Sequence, residues 1–483
     1  MVTCPPRVLD LEPVPTLDAY VAAGGGQGLE AARALGPPDV RDHIAAAGLR
    51  GRGGAGFPTA TKWNAVCRNR PTTEPPAVVI NAAEGEPGSF KDRAIVRANP
   101  YRVLEGALIA AHAVGADRVI VAIKQSFGEE RVRLGQAMNA VENASWAKEV
   151  DIGIVAGPDA YLFGEETALL EVVEGRQPFP RLAPPYRHGV DEVAPETASP
   201  ADEILAATGN TTPVPPTLVN NVETLANVPA ILSCGPDWFR ALGTDESPGT
   251  IVCTITGRTR RHAVAEVPMG TPLRSIIEWI GGGAETGRRI TAAMSGVANP
   301  LVRDELLDTP ASYEAMAAIG SGLGAAGFIV FDDATDFAAV GHGVARYLAV
   351  ESCGQCTPCK ADGLELAARF GRLRRSEAGE ADLVEVATRL DTVTEGARCF
   401  LASQQERVLR SIVDGWEDQL REHLDGHQPA ADLELIAPIL DIEDERAVVD
   451  RRHLGKQPDW SFDATDSGAA PVDRLGHGHA GAA

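Results

Sequence analysis

Cys353-Gly-Gln-Cys356-Thr-Pro-Cys359, followed by a lone and distant Cys399, limits the folds open to this chain more than any other feature. Cys-x2-Cys-x2-Cys puts three thiolates on one tight turn. A fourth can close a [4Fe–4S] cube only if a helical hairpin carries it back to that turn. Structural zinc also takes four thiolates and is the rival reading. Zinc ribbons usually pair two Cys-x2-Cys knuckles, so the three-plus-one layout favours iron–sulfur. Four unrelated buried cysteines would not cluster in this way: half of the chain's eight lie between 353 and 399, and Cys4, Cys67, Cys234 and Cys253 are scattered. The pattern implies electron transfer.

A chain of 483 residues has room for about three domains. Its net charge of -23 argues against nucleic acid and against anionic lipid surfaces. No apolar run of some 18 residues offers direct membrane insertion. Met1-Val-Thr-Cys-Pro-Pro-Arg7 lacks the basic and apolar stretches of a secretory signal, so the expected location is cytoplasmic, with any membrane association made through a partner complex.

Residues 1–38 are rich in Pro and Gly, with a short helical stretch near Leu17–Ala23, and read as a surface arm. A helix carrying Val40 and Ile44 should end at Gly48 or Gly51. Strand signals at 77–81, 118–123 and 150–155 then alternate with helical ones at 101–114, 129–141 and 165–173, which predicts a parallel doubly wound sheet within 39–244. Across 245–333, strands at 251–255, 263–267, 290–294 and 328–331 with one helix at 273–280 suggest a small α+β module. Residues 334–430 turn helical, at 338–349, 363–373, 383–390 and about 403–423, and suggest a bundle around the cysteines. The remainder, 431–483, reads as an extension with some structure to Asp450 and then a solvated tail ending in His477-Gly-His479.

Gly51-Arg-Gly-Gly-Ala-Gly56 fits G-x-G-x-x-G, but a helix, not a strand, precedes it, so a standard dinucleotide turn is not expected. Its glycines still let backbone N–H groups approach an anion, and Arg52 and Lys62 add positive charge. Two more dense patches follow: Asn81-Ala-Ala-Glu-Gly-Glu-Pro-Gly-Ser-Phe-Lys-Asp-Arg93 directly after a strand, and Tyr161-Leu-Phe-Gly-Glu-Glu-Thr167 opening a helix. Ligands sit at strand ends in doubly wound sheets, whereas the paired carboxylates alone would only complement a helix dipole.

Taken in order, Leu49-Arg-Gly-Arg-Gly-Gly-Ala-Gly-Phe-Pro-Thr59 with Lys62-Trp63, Glu84-Gly-Glu-Pro-Gly88, Phe90-Lys-Asp-Arg93, Gly164-Glu-Glu-Thr-Ala-Leu169, Asn220-Asn-Val-Glu-Thr-Leu225 and Glu351-Ser-Cys-Gly-Gln-Cys-Thr-Pro-Cys359 resemble a known family. It is the NADH-binding flavoprotein subunit of respiratory complex I, with relatives in NAD-linked formate dehydrogenases and hydrogenases. The resemblance spans about residues 40–425. It implies a modified Rossmann-like α/β domain holding FMN, a ubiquitin-like (soluble-ligand-binding-type) α+β domain, and a helical bundle carrying one [4Fe–4S] cluster. It implies that Gly51, Arg52, Gly53, Gly54 and Lys62 hold the FMN phosphate and ribityl side, and that Asn81, Glu84, Asn220, Asn221 and Thr224 line the flavin. Phe57, Glu86, Tyr161, Gly164, Glu165 and Glu166 would shape the NAD(H) site, Tyr186 would lie near the adenine, and Cys353, Cys356, Cys359 and Cys399 would ligate the cluster.

The activity implied is NADH oxidation, or NAD+ reduction, by hydride exchange with FMN and single-electron transfer through the cluster, with no protein nucleophile. The implied partners are a thioredoxin-like [2Fe–2S] subunit and a larger iron–sulfur subunit in a hetero-oligomer. The chain departs from the family pattern at Ala83, where an Asp belongs, and at Ala65, where an aromatic belongs, while Phe163 replaces a small residue. Those departures motivate an alternative, a cluster-bearing relay or scaffold subunit that has lost nucleotide turnover.

Overall fold

The computed structural model describes residues 7–70, 74–182, 184–185 and 215–476. Four parallel strands, β1 (Ala77–Ala82), β2 (Arg118–Lys124), β3 (Asp151–Gly157) and β4 (Thr217–Asn221), form a sheet in the order β3-β2-β1-β4. The runs of β1 and β2 are nearly continuous because both faces are covered, whereas the edge strand β3 is largely half-buried. Val78, Ile80, Val119, Val121 and Leu218 face a core shared with the helices Pro100–Val114 and Val222–Cys234. Val79, Ile120, Ala122 and Val219 face a second core that includes Leu169 and Leu170. This is the α/β architecture expected from the strand–helix alternation.

The glycine loop lies between two helices, Pro37–Ala47 and Thr59–Asn69. The first ends on Gly48 in the left-handed conformation, φ 67°, which glycine adopts without strain.

A second, five-stranded sheet joins β5 (Thr250–Gly257), β6 (Ala263–Pro268), β7 (Ile290–Ser295), β8 (Val302–Arg303) and β9 (Gly327–Asp332) in the order β6-β5-β9-β7-β8. β5 and β9 are parallel and the other pairs antiparallel. The helix Leu273–Gly281 buries Leu273, Ile276, Ile277 and Ile280 against it. Helices Phe337–Glu351, Thr357–Arg374, Glu380–Thr392, Leu401–Gly415 and Glu417–Leu424 share a fourth core. The single helix expected over 403–423 is broken at Trp416, whose ring stacks on Phe337 at a centroid distance of 3.7 Å.

Two segments differ from their reading as surface chain. In the N-terminal part, a second helix, Gln27–Ala34, accompanies Leu17–Ala22. The buried Glu105 carboxylate ties both to the domain, accepting from Tyr20 Oη at 2.7 Å, Gly26 N at 2.9 Å and Leu29 N at 2.9 Å.

At the other end, a hairpin of β10 (Ile439–Glu443) and β11 (Arg446–Val449) turns through Asp444 and Glu445, both at positive φ as such a two-residue turn requires. Residues 451–476 are not a tail. Lys456 Nζ reaches Glu351 Oε1 at 2.5 Å, Trp460 Nε1 donates to the Val350 carbonyl at 2.9 Å, and Val472 N donates to the Cys353 carbonyl at 3.0 Å. Single ion pairs, caps and the widely spaced apolar contacts of Trp460, Val472 and Leu475 hold this segment instead of an amphipathic face, so no periodicity betrays it. His477 and His479 lie outside the described residues.

Candidate functional site

A cavity of about 720 Å³ opens at the carboxyl ends of β1 and β4. Parallel strands expose their last backbone groups there, so ligands gather at this edge. Asn81 and Asn221 are register partners at the two strand ends. Asn81 Nδ2 donates to the Gly164 carbonyl at 2.9 Å. Asn221 caps the helix Val222–Cys234 by accepting from Glu223 N at 3.0 Å, and donates to Asp92 Oδ2 at 2.6 Å.

Beneath them is Lys91, 1% exposed, with Asp92 Oδ1 at 2.7 Å, Glu223 Oε2 at 3.0 Å and Asn221 Oδ1 at 3.1 Å. Burial by itself would discharge this ammonium, but Asp92, Glu223 and Glu84 push its pKa up, so it stays charged. Glu84 accepts from Ser89 Oγ at 2.6 Å and from the first N–H groups of helix Lys91–Ala98, while burial raises its pKa.

Gly53 and Gly54 form the opposite wall. Gly54 sits at φ 125°, a backbone region open essentially to glycine alone, and a Cβ on Gly53 would come within 3.2 Å of Asn221 Cβ. Tyr313 Oη pins the loop through the Gly51 carbonyl at 2.7 Å.

Arg52 is turned away. It is fully buried, its guanidinium spent on the carbonyls of Thr250, Pro248 and Arg50, and its N–H goes to Thr224 Oγ1 at 2.8 Å. Of the two arginines in the loop, the one on the cavity is Arg50, over the Tyr313 ring at 4.4 Å. Thr224 and Asn220 are likewise buried behind the wall, Asn220 accepting from Trp63 Nε1 at 2.8 Å. Lys62 and Glu166 pair with each other away from the cavity lining, and Phe57 is 52% exposed. Tyr186 lies outside the described residues.

At the far end, Tyr161 Oη donates to Glu86 Oε2 at 2.6 Å, and Val297 N donates to Glu86 Oε1 at 2.6 Å. Burial overrides both bonds and pushes the Glu86 carboxyl up to about 7. Glu165 caps helix Glu166–Val173 through Thr167 N and Ala168 N, again with its pKa raised by burial. Ala83 lines the cavity. Phe163 is buried in the same apolar cluster as Ala83, on the outer face of the sheet, and Ala65 is not part of that cluster.

The four cysteines come from three helix ends. Cys353 follows helix Phe337–Glu351, Cys356 and Cys359 begin helix Thr357–Arg374, and Cys399 precedes helix Leu401–Gly415. All four adjoin one core. Burial, reinforced by neighbouring cysteines, pushes Cys353 up to about 11 and raises Cys359 and Cys399 as well, so the thiolates need a cationic centre to ionise together. Among the described residues no three His, Cys, Asp or Glu side chains are close enough for one metal ion. A cubane asks for something else, since each thiolate binds a different iron. Four cysteines at three helix ends beside one core supply the one thiolate per iron that such a cluster asks for. Cys399 also lines the cavity, placing the two sites side by side.

Several lining residues escape the sequence reading. Lys91 and Asp92 stand inside the Phe90–Arg93 motif, yet nothing in that motif gives them a contact. Ser321-Gly-Leu-Gly-Ala325 is a glycine-rich turn of the second sheet, a signal that composition could have flagged. Gln404 and Arg407 carry no local signal, because only the return of their helix brings them to the cavity.

Fold and site together define an α/β protein that sets a ligand-sized cavity at its strand ends beside four clustered cysteines, the arrangement of an electron-transfer subunit. Residues 44–230 match the Nuo51 FMN-binding domain, and residues 339–423 match the NADH-ubiquinone oxidoreductase-F iron-sulfur binding region. The second F-type subunit of the NADH-quinone oxidoreductase of Rhizobium meliloti is 34% identical over 437 residues, covering 87% of this chain and 97% of its own length. NADP-reducing hydrogenase subunit HndC of Solidesulfovibrio fructosivorans is 32% identical over 85% of this chain and 81% of its own. Among solved structures, a chain of an NAD+-reducing [NiFe]-hydrogenase superposes with a TM-score of 0.70 at 31% identity, covering 87% of this chain and 68% of that one. The chain belongs to the family of F-type subunits of NADH-quinone oxidoreductase. It is an NADH-dehydrogenase-type oxidoreductase subunit working with FMN, NAD(H) and a [4Fe–4S] cluster. No helix among the described residues is long and apolar enough to cross a membrane.

Proposed function

We propose that the cavity holds FMN with its phosphate at Gly53, Gly54 and Arg50, and that the nicotinamide of NAD(H) enters toward Glu86, Tyr161 and Glu165. The single observation that carries this reading is the continuity of one cavity from Gly53 and Gly54 to Cys399. A hydride acceptor and a one-electron acceptor are thereby kept adjacent. When bound, the flavin supplies the exchange between two-electron and one-electron chemistry.

The chain's own residues orient and tune. Asn81, Asn221 and the charged Lys91 offer donors from a floor whose hydrogen bonds are already fixed. Glu86 stands ready to hold or release a proton near neutral pH, with Tyr161 Oη and Val297 N fixing its carboxyl. Gly51, Lys62, Glu84 and Thr224 support the loop and helix starts around the flavin. Phe57 and Glu166, which lie outside the cavity lining, are assigned to the outer, adenosine end.

Cys353, Cys356, Cys359 and Cys399 are the proposed cluster ligands, held in the helical bundle of 334–430. The five-stranded sheet of 245–333 is proposed as the ubiquitin-like domain, whose Ser321–Ala325 turn closes one wall of the cavity. The partners proposed are a thioredoxin-like [2Fe–2S] subunit and a larger iron–sulfur subunit.

Anaerobic purification followed by acid extraction of flavin, iron and sulfide analysis, and NADH titration tests the reading. FMN, an iron–sulfur content of one cluster and a flavin band bleached by NADH are expected. A cluster spectrum without flavin would favour the relay or scaffold alternative, and stoichiometric zinc without iron would overturn the ligand set.

A further inference from the structure

Helix Leu401–Gly415 starts just after Cys399, and its first turn carries two adjacent buried glutamines that serve different neighbours. Gln404 Nε2 donates to Tyr161 Oη at 2.7 Å, the hydroxyl that in turn donates to Glu86, and so faces the cavity. Gln405 is fully enclosed, with its Nε2 3.0 Å from the Cys359 carbonyl oxygen and 3.4 Å from Cys359 Sγ. A carbonyl can only accept, so the amide nitrogen is the end that faces Cys359.

On its other side Gln405 Oε1 has no hydrogen-bond partner among the described residues and presses on Gly363, where a Cβ would collide with it. A buried acceptor left unsatisfied is destabilising, and such groups call for a role other than stability. The Ser352 hydroxyl stands 3.3 Å from the same sulfur.

We propose that Gln405 tunes the [4Fe–4S] cluster by donating an amide N–H to the Cys359 thiolate, with Gly363 keeping the space that lets the amide lie there. The inference rests on the reading of Cys359 as a cluster ligand. A donor at a ligand sulfur stabilises the reduced, more negative cluster, and therefore raises its reduction potential. Gln405 is a positioning and tuning residue and touches no substrate. Its neighbour Gln404 leads to the nucleotide cavity, so one helical turn reaches both redox sites.

Potentiometric EPR titration of the anaerobic holoprotein tests this. Gln405→Met keeps the length of the side chain and removes the donor, and its cluster midpoint should move to a more negative potential. Gly363→Ala, which displaces the amide without altering Gln405, should move it in the same direction. Gln404→Met should leave the midpoint where it is. An unchanged midpoint in Gln405→Met with full iron and sulfide overturns the proposal, whereas wild-type protein without iron tells instead against Cys359 as a ligand. Should the variants fail to assemble, wild-type protein labelled with 15N at glutamine side chains decides it. Pulsed EPR of the reduced cluster should show a coupled 15N with an exchangeable proton, and its absence also overturns the proposal.

Discussion

Lys456 comes from the segment that sequence patterning reads as a tail, yet its replacement by methionine should be among the more damaging changes in the protein. Its ammonium lies 2.5 Å from Glu351 Oε1, with side-chain exposures of 7% for the lysine and 0% for the glutamate. Glu351 Oε2 also accepts from Tyr161 N at 3.0 Å, so this one carboxylate ties the cavity wall to the turn that begins at Cys353. Lys456→Met keeps most of the side-chain volume and strands the negative charge. Removing one partner of a buried pair costs about 3–5 kcal/mol.

The lower end of that range is expected, because His453 Nδ1 stands 3.7 Å from the same oxygen and can take up part of the charge. Burial pushes its pKa down to about 4 and Lys456 helps to hold it there, so the variant that removes Lys456 leaves His453 freer to gain a proton beside the stranded carboxylate. Urea unfolding followed by tryptophan fluorescence should show a loss of about 3 kcal/mol for the transition that exposes the cluster region, against roughly 0–1 kcal/mol for a surface pair. The double variant Glu351→Gln/Lys456→Met should recover a large part of the loss, because neither charge is then stranded. A single-variant loss below about 1 kcal/mol would refute the reasoning and return 451–476 to the status of a loosely attached end.

Because the Glu86 carboxyl is raised to about 7, its proton contributes stability that is fully present below the ordinary carboxylate pKa and is lost as pH rises through about 7. Glu86→Gln should accordingly gain on wild type in thermal stability above pH 7, with the difference shrinking toward pH 5; a constant difference across pH would refute it. Gly54→Ala should cut FMN content severely, since φ 125° strains any L residue even though the nearest atoms to an added Cβ are 3.8 Å away; normal flavin in an acid extract would count against this. Cys399→Ala should lose the cluster while Cys67→Ser retains full iron, as metal analysis would show. Glu166→Gln frees Lys62 from its pair and should raise kcat/KM for NADPH relative to NADH, and an unchanged ratio would leave Glu166 as a helix-terminal residue only.

Much of this protein could be read from local pattern because its elements satisfy themselves locally. Short, nearly continuous apolar runs define β1, β2 and β3, and 3.6-residue periodicity defines the helices between them. The cysteine spacing singles out the electron-transfer centre because three thiols on one turn require no knowledge of the rest of the chain. Tertiary structure alone decided the roles of charged residues, whose partners lie far away in sequence. Arg52, which looks like a phosphate ligand beside its glycines, is consumed by the carbonyls of residues 248 and 250, and Arg50 takes the cavity instead. Lys62 and Glu166 neutralise one another across 104 positions, and Gln404 and Gln405 reach two redox sites only because helix Leu401–Gly415 returns past Tyr161 and Cys359. The same holds for 451–476, where isolated ion pairs, single hydrogen bonds and a few scattered apolar contacts do the holding. A side chain's hydrophobic period is written in its neighbours along the chain, whereas the partner of a buried charge is set by which distant segment the fold places against it.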